Sequence, residues 1–550
     1  MTLLWIALLL SLNALPQAPS TLSDSAKCFI AGTVLKAATG EPLKKARVVL
    51  QKQEPSAQPI VAITDATGHF SLKDIEPGRY RFWVERDGFV RTQYGQRSSQ
   101  HPGVPLNLAP GQRLRDIVFR MVAGAVISGR ILDDDLEPLA RANVQVLRTV
   151  YAGGERRLAS VARATTNDLG EYRLWGLPPG TYVLGATYAR GMAFGSSGGA
   201  RESQLTGTSA TEESFGATYY SATTDPSRAA VIELHAGEEA SRMDITLMRV
   251  RTFRIRGRVV NTVTGESTYN VSVYLQARGG PGSGRLLLPT AGNGNVKDAE
   301  GSFEIRGALP GSYTLVAQLS DEGQEFTAQQ TVEVGNADLE GIQLVITRGM
   351  DLPGRVRIEG PSIALSKLEV WLQPKENIPF PSPNVSVKED GSFLLKNVKG
   401  DSEVNVFQLP EGSYFKSARL GEDDVLERGL STSRIPKGET LELVISGAGG
   451  RVDGVALNRD GQGVGGAAVI LIPRSRETAR LYKSTTTDQN GRYILQGIAP
   501  GEYKLFAWED IETGAYRDPD FLRRYEDRGE SLHVEENGRY TVELKVIPST

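Results

Sequence analysis

Residue types that could perform chemistry are few in this chain and stand far apart. Its 550 residues include four histidines, His69, His101, His235 and His533, and one cysteine, Cys28. A zinc peptidase with two His and a Glu on the metal, two of them in an H-x-x-E element, needs a further His and a catalytic Glu besides. His235-Ala236-Gly237-Glu238 has that spacing, but Gly237 falls at a turn position that recurs along the chain, and the next histidine is His533. His69 and His101 have no acidic or cysteine partners at ligand spacing. Asp133-Asp134-Asp135 offers three carboxylates, yet Leu136-Glu137-Pro138 follows where a calcium loop requires a glycine and a later glutamate. That run reads as a solvated hairpin loop. There is no Cys–His pair on a plausible scaffold and no Gly-rich loop entering a helix. The expectation is a protein that is not an enzyme, with no catalytic residue, no metal and no cofactor.

Stacking on aromatic rings is the chemistry that remains. Strand alternation places Tyr80, Phe82 and Val84 on one face and sends Arg81, Trp83 and Glu85 to the other; Tyr503, Leu505 and Ala507 point in, leaving Lys504, Phe506 and Trp508 out. A long segment follows each strand, Asp87 to Val104 with Tyr94, and Glu509 to Glu530 with Tyr516, Phe521 and Tyr525. Trp83, Tyr94, Phe506, Trp508, Tyr516 and Tyr525 are therefore the candidate ligand platform, on which a sugar or peptide would stack. The competing expectation is that each segment folds over the outer rings as a local second core, the usual fate of large aromatics. Gly185 and Val316 occupy the matching position elsewhere and make poorer candidates.

The elements that position these rings belong to a repeat. Thr64 to Tyr80 (TDATGHFSLKDIEPGRY) returns as Asn167 to Tyr182, Asp298 to Tyr313 and Asp488 to Tyr503, and in each copy an aromatic precedes the final tyrosine by ten residues. An Asp or Asn opens the turn by bonding backbone two residues on, and the glycine three positions later supplies φ > 0. Apolar residues then alternate, a Pro-Gly pair turns the chain, and a second alternating strand begins at the tyrosine. A strand and turn precede each cassette, and a glycine-led strand closes it: Gly111 to Phe119, Gly237 to Leu247, Gly335 to Ile346, Gly438 to Ile445 and Gly538 to Ile547. Five closings predict five domains, 28–122, 123–250, 251–348, 349–447 and 448–550. The fourth diverges, with Lys388 for the Asp/Asn and Val398-Lys399-Gly400-Asp401 for the Pro-Gly turn. Short connectors predict a rod, with Ser446-Gly447-Ala448-Gly449-Gly450 as its most flexible hinge.

Composition narrows the class further. A formal charge of −3 points to no nucleic acid, and 60 glycines between β-branched and aromatic runs favour an all-β chain. Leu3 to Leu15 is too short to span a bilayer and reads as the core of a signal peptide over 1–20, with an exit at Ala18-Pro19-Ser20 and no Lys or Arg ahead of it. The mature chain then has no transmembrane segment and is secreted, periplasmic or at the cell surface. One cysteine excludes an internal disulfide framework. Cys28 follows Lys27, where a lipidation signal would carry Gly or Ala, so a buried small hydrophobe at the head of a strand is expected.

The order of a G-x-V strand, a G-x-P turn, the T-D-x-x-G-x-F/Y hairpin, P-G-x-Y and a closing glycine strand resembles the carboxypeptidase regulatory-like domain. The resemblance implies an all-β tandem array of about five seven-stranded antiparallel β-sandwich domains of the transthyretin (prealbumin) type. In that family the module is an accessory without catalytic residues. Related adhesin repeats carry a Lys–Asn crosslink promoted by a Glu four residues after the tyrosine; Val84, Ala186, Ala317 and Ala507 stand there instead. The expected function is a non-catalytic extracytoplasmic spacer, adhesive or scaffold module of the cell envelope. The alternatives are a carbohydrate-binding protein using the outer aromatics of domains one and five, and a regulatory partner of a peptidase. Expected partners are a cell-wall or extracellular glycan or an envelope protein.

Overall fold

The computed structural model describes residues 26–53, 57–98, 102–152, 154–188, 213–263, 271–278, 293–296, 298–321, 324–360, 365–375, 383–435, 438–476 and 478–549. Leu3 to Leu15, the exit at Ala18–Ser20, His101 and the turn expected near Gly265 lie outside them. The chain is all-β, and among the described residues the two α-helical stretches, Val425–Arg428 and Pro519–Arg523, are single turns.

One sheet pair shows how the residues dictate the architecture. Cys28–Lys36 lies between His69–Ile75, antiparallel, and the closing strand Arg113–Met121, which runs parallel to it. Arg47–Lys52 lies between Ile60–Ile63 and Gly78–Glu85 in the facing sheet. Ile30, Val34, Val48, Leu50, Phe70, Leu72, Tyr80, Phe82 and Phe119 fill the space between the two sheets. The glycine of the first strand is needed because the closing strand presses on it. A Cβ at Gly32 would stand 2.1 Å from the Ile117 carbonyl oxygen, and one at Gly454 would stand 1.8 Å from that of Val542.

The same arrangement recurs around Ala125–Leu132, Phe253–Asn261, Met350–Glu359 and Gly450–Leu457, each with its own facing sheet and its own apolar cluster. The pair around Met350–Glu359 differs: an extra strand, Tyr414–Leu420, pairs antiparallel with the closing strand Leu441–Ser446 and widens that sheet. We call the five pairs units one to five in chain order.

Two expectations about the joints are corrected. Ser446–Gly450 is tied down: Gly447 N donates to Glu359 O at 2.8 Å, Gly449 N to Gly412 O at 3.0 Å and Asn537 N to Ala448 O at 2.7 Å. A Cβ at Gly449 would meet Gly412 O at 2.4 Å, so this glycine allows close approach and does not supply a hinge. The array is also not a rod, because unit five reaches back to units one and two. Asn107 Nδ2 donates to Asp488 Oδ2 at 3.0 Å, Gln489 Nε2 to Asn107 O at 3.0 Å, and Arg97 pairs with Glu509. Tyr151, from the hairpin of unit two, packs into an apolar cluster of unit five.

The divergent turn of unit four is used at a joint. Lys399 Nζ donates to Thr327 O at 2.9 Å and Thr347 O at 2.5 Å, and Asn397 Nδ2 donates to Glu325 O at 2.6 Å. Burial lowers the Lys399 ammonium below the usual lysine range. The residues that replace the Pro-Gly turn thus fasten unit four to unit three.

Candidate functional site

The residues repeated from cassette to cassette bond to their own backbone. Asp65 Oδ1 accepts from Thr67 N at 2.8 Å and His69 N at 2.9 Å; Asp488 Oδ1 accepts from Asn490 N and Arg492 N, each at 2.9 Å. The turn glycines Gly68, Gly170, Gly301 and Gly491 have φ of 72°, 70°, 86° and 79°. Each P-G-x-Y tyrosine is buried and donates its hydroxyl to the carbonyl four residues earlier: Tyr80 to Glu76 O at 2.8 Å, Tyr182 to Pro178 O at 2.6 Å, Tyr313 to Leu309 O at 2.9 Å and Tyr503 to Ala499 O at 2.8 Å. Burial pushes the Tyr313 and Tyr503 phenols up to about 12. One fastener escaped the sequence reading, although its signal, a threonine just before the Asx, is visible in three cassettes. Thr64, Thr166 and Thr487 each accept from the backbone N–H that starts the facing sheet, at Ala46, Ala142 and Ala467, and donate to Leu43 O, Leu139 O and Val464 O.

The histidines and acids are also engaged locally. His235 N donates to Glu238 Oε2 at 2.7 Å and Glu238 N to His235 O at 3.1 Å, which closes a turn. The carboxylates of Asp133, Asp134 and Asp135 converge within 4.8 Å, and the cation they hold is Arg249, whose Nε lies 2.6 Å from Asp134 Oδ1 and Nη2 3.1 Å from Asp135 Oδ2. Cys28 is buried and its Sγ lies 3.1 Å from Ala109 O.

The aromatic candidates fall into two groups, and of the two arrangements weighed for them the outer rings lie in the covered one. In unit five Phe506 and Trp508 stack at 4.9 Å between centroids and are each 1% exposed, because the segment after them brings Ile511, Ala515, Tyr516, Phe521, Leu522 and Tyr525 over their faces. In unit one Trp83 is 9% exposed, with the Arg91 guanidinium 4.3 Å over its ring. Tyr94 is not beside Trp83: its N donates to Phe82 O at 2.8 Å, and its ring lies 5.9 Å from Phe82 in the main core of the unit. Covered rings cannot stack a ligand without unfolding their cover.

Exposed rings occur where the sequence reading did not look. Trp175 is 65% exposed on Glu171–Leu177, and alternation from Tyr172 and Leu174 would have sent it outward. On the facing sheet of unit four, Phe407 is 47% exposed and lies 5.0 Å from Trp371, edge to face.

The fold and these fasteners define an all-β array of transthyretin-type sandwiches. The family model of the carboxypeptidase regulatory-like domain matches residues 30–119 and 126–197, so the chain carries this domain in two copies there. Over 180 residues, 31% of this chain, it is 29% identical to the BOS complex subunit NOMO1 of Mus musculus and 28% identical to NOMO3 of Homo sapiens. The chain spans 14% of the length of these relatives. Among solved structures, a streptococcal ancillary pilin is 11% identical with a TM-score of 0.20, covering 58% of this chain and 99% of its own. The RrgB pilus protein of Streptococcus pneumoniae is 8% identical with a TM-score of 0.16, covering 77% and 98%.

Proposed function

We propose that the protein is a non-catalytic, extracytoplasmic scaffold of five sandwich units, 28–122, 123–250, 251–348, 349–447 and 448–550, that holds other envelope components at fixed separations. One observation carries this reading: the Asx, Thr and Tyr side chains repeated along the chain are hydrogen-bonded inside their own unit. A repeat maintained for chemistry would aim its polar groups at a shared cleft, whereas these groups fasten turns and sheets. The domain matched at 30–119 and 126–197 fits the same role, and the relatives that share 180 residues with it are named as subunits of a complex. Among the described residues no helix is long and apolar enough to cross a membrane.

The test has two arms. The purified chain is assayed with and without zinc on peptide, ester and glycoside substrates, and sustained turnover would overturn the non-catalytic reading. A tagged chain is then crosslinked in intact producing cells. Recovery of envelope proteins with the tag outside the cytoplasm is the expected result, and a cytoplasmic tag would overturn the scaffold reading.

A further inference from the structure

The facing sheet of unit four carries on its outer side what the corresponding sheet of unit five hides. In unit five Ala468 pairs with Trp508 and Ile470 with Phe506; in unit four Glu369 pairs with Phe407 and Trp371 with Asn405. By register Phe407 stands in the place of Trp508, and Trp371 in the place of Ile470. The rings of unit five are sealed at 1% exposure by the segment that follows them, whereas Phe407 is 47% exposed. The chain after Phe407 turns away through Gln408, at φ 59°, to build the extra strand Tyr414–Leu420 in the other sheet. The departure of unit four from the repeat therefore uncovers this face.

The polar groups around the two rings are amides and one carboxylate. Asn384 pairs across from Trp371 on one side and Asn405 on the other, so an amide flanks the indole on each side. Their contacts are exposed or part-buried, and two of them are long: Trp371 Nε1 to Glu369 Oε2 at 3.4 Å and Asn405 Nδ2 to Gln373 Oε1 at 3.5 Å, beside an ordinary bond from Gln408 Nε2 to Glu369 Oε1 at 3.1 Å. Amides and a carboxylate whose contacts among the described residues include bonds as long as these lose little by turning to hydroxyl groups that offer shorter ones. Strands Glu369–Pro374, Asn384–Ser386 and Asp401–Phe407 contain Glu369, Asp401 and Glu403 and no Lys or Arg. A face with that charge repels polyanions, so acidic polysaccharide and nucleic acid do not fit it.

We infer that this face is a glycan-binding platform for a neutral oligosaccharide. The apolar face of a sugar ring stacks on Trp371 and Phe407, and its hydroxyls bond to Asn384, Asn405, Gln373 and Glu369. Aromatic rings with one wet side suit such a ligand, which has an apolar face and a polar rim.

The test is a microarray of neutral and acidic oligosaccharides probed with the full-length chain, followed by titration of the best neutral glycan while Trp fluorescence is read. The expected result is binding to neutral glycans that Trp371→Ala and Phe407→Ala each weaken at least about tenfold, with Trp508→Ala as the covered-ring control that leaves affinity unchanged where it folds. Asn405→Ala, on the surface of the same strand, gives a second route should either ring variant shift the melting profile. Binding to acidic glycans alone, binding to no neutral glycan, or neutral binding that survives these substitutions would each overturn the inference. These outcomes do not bear on the scaffold reading, which rests on turnover and location.

Discussion

At the scale of single residues, the P-G-x-Y tyrosine unites packing and polarity. Tyr313 is 3% exposed, its ring lies in the core of unit three, and its hydroxyl meets Leu309 O at 2.9 Å. The two contributions differ in size. A buried hydrogen bond contributes about 1 kcal/mol, whereas truncating a core aromatic costs about 3 to 5 kcal/mol. Tyr313→Phe should therefore lower the stability of unit three slightly and Tyr313→Ala severely. In a chain of several units no single unfolding free energy exists, so calorimetry of the full chain should show one transition moving to lower temperature while the others stay. If every transition shifted together, the unit would not fold on its own core. The same burial gives a pH dependence. The Tyr313, Tyr414 and Tyr503 phenols are raised to about 12 from an ordinary 10, so the fold favours their neutral form. Their contribution is full below the unfolded value near 10 and is lost as pH rises through 12. Phenolate absorbance from these residues should emerge between those limits together with loss of near-UV dichroism. Emergence near pH 10 with the fold intact would refute the burial.

At the scale of elements, the cassette could be read directly because its signals are local. Asp488, Gly491 and Tyr503 act within a few residues of themselves, and turn chemistry with period-two alternation is visible in a sequence. The threonine fastener was less visible because its partners are distant: Thr487 reaches Ala467 N and Val464 O, 20 and 23 residues away. Thr487 is 0% exposed. Thr487→Val keeps the shape and orphans one buried donor and one buried acceptor, which should cost about 1 to 3 kcal/mol, while Thr487→Ser should cost less than half as much. Urea melts of the two variants, with the transition of unit five followed by Trp emission, distinguish hydrogen bonding from packing. Equal losses would assign the effect to the methyl group. The candidate site was legible only in part for a related reason. Alternation placed Trp83, Phe506 and Trp508 on outer faces correctly, but whether an outer ring is covered depends on where the following segment goes. Residues 509–530 cross the face of unit five, whereas unit four sends the chain into another sheet.

At the scale of the whole molecule, the array closes on itself, and no local pattern records that. The expected rod followed from short connectors, but a connector's length limits its bending and does not set its angle. The angles are fixed by contacts such as Lys399 to Thr327 and Thr347, Tyr414 to Glu536 at 2.8 Å, and Gly124 N to Gly88 O at 3.0 Å, none of which a repeat pattern predicts. The seam between units one and five is polar and partly open, with Arg97 and Glu509 36% and 34% exposed. Such a pair contributes about 0 to 1 kcal/mol, and the Asn107 bonds to Asp488 and Gln489 add about 1 kcal/mol each. The joint between units two and three holds an open groove of about 810 Å³ lined by Ala217, Val250, Phe253 and Pro310. With units of about 13 Å radius of gyration, five in mutual contact scatter as a body of roughly 30 Å and five in a line as one of roughly 50 Å. The wild-type chain at low salt should give the compact value. Arg97→Glu combined with Asn107→Ala and Gln489→Ala puts like charges at the seam, removes the Asn107 side-chain bond to Asp488 and the Gln489 side-chain bonds to the Asn107 backbone, and should raise the radius by a third or more, while Arg97→Glu combined with Glu509→Arg restores the attraction and should keep the compact value. Circular dichroism and melting profiles matching the wild type would show that the units stay folded, so any expansion reports the seam alone. A wild-type chain that already scatters as an extended body, or a seam variant as compact as its parent, would show that these contacts do not set the shape in solution.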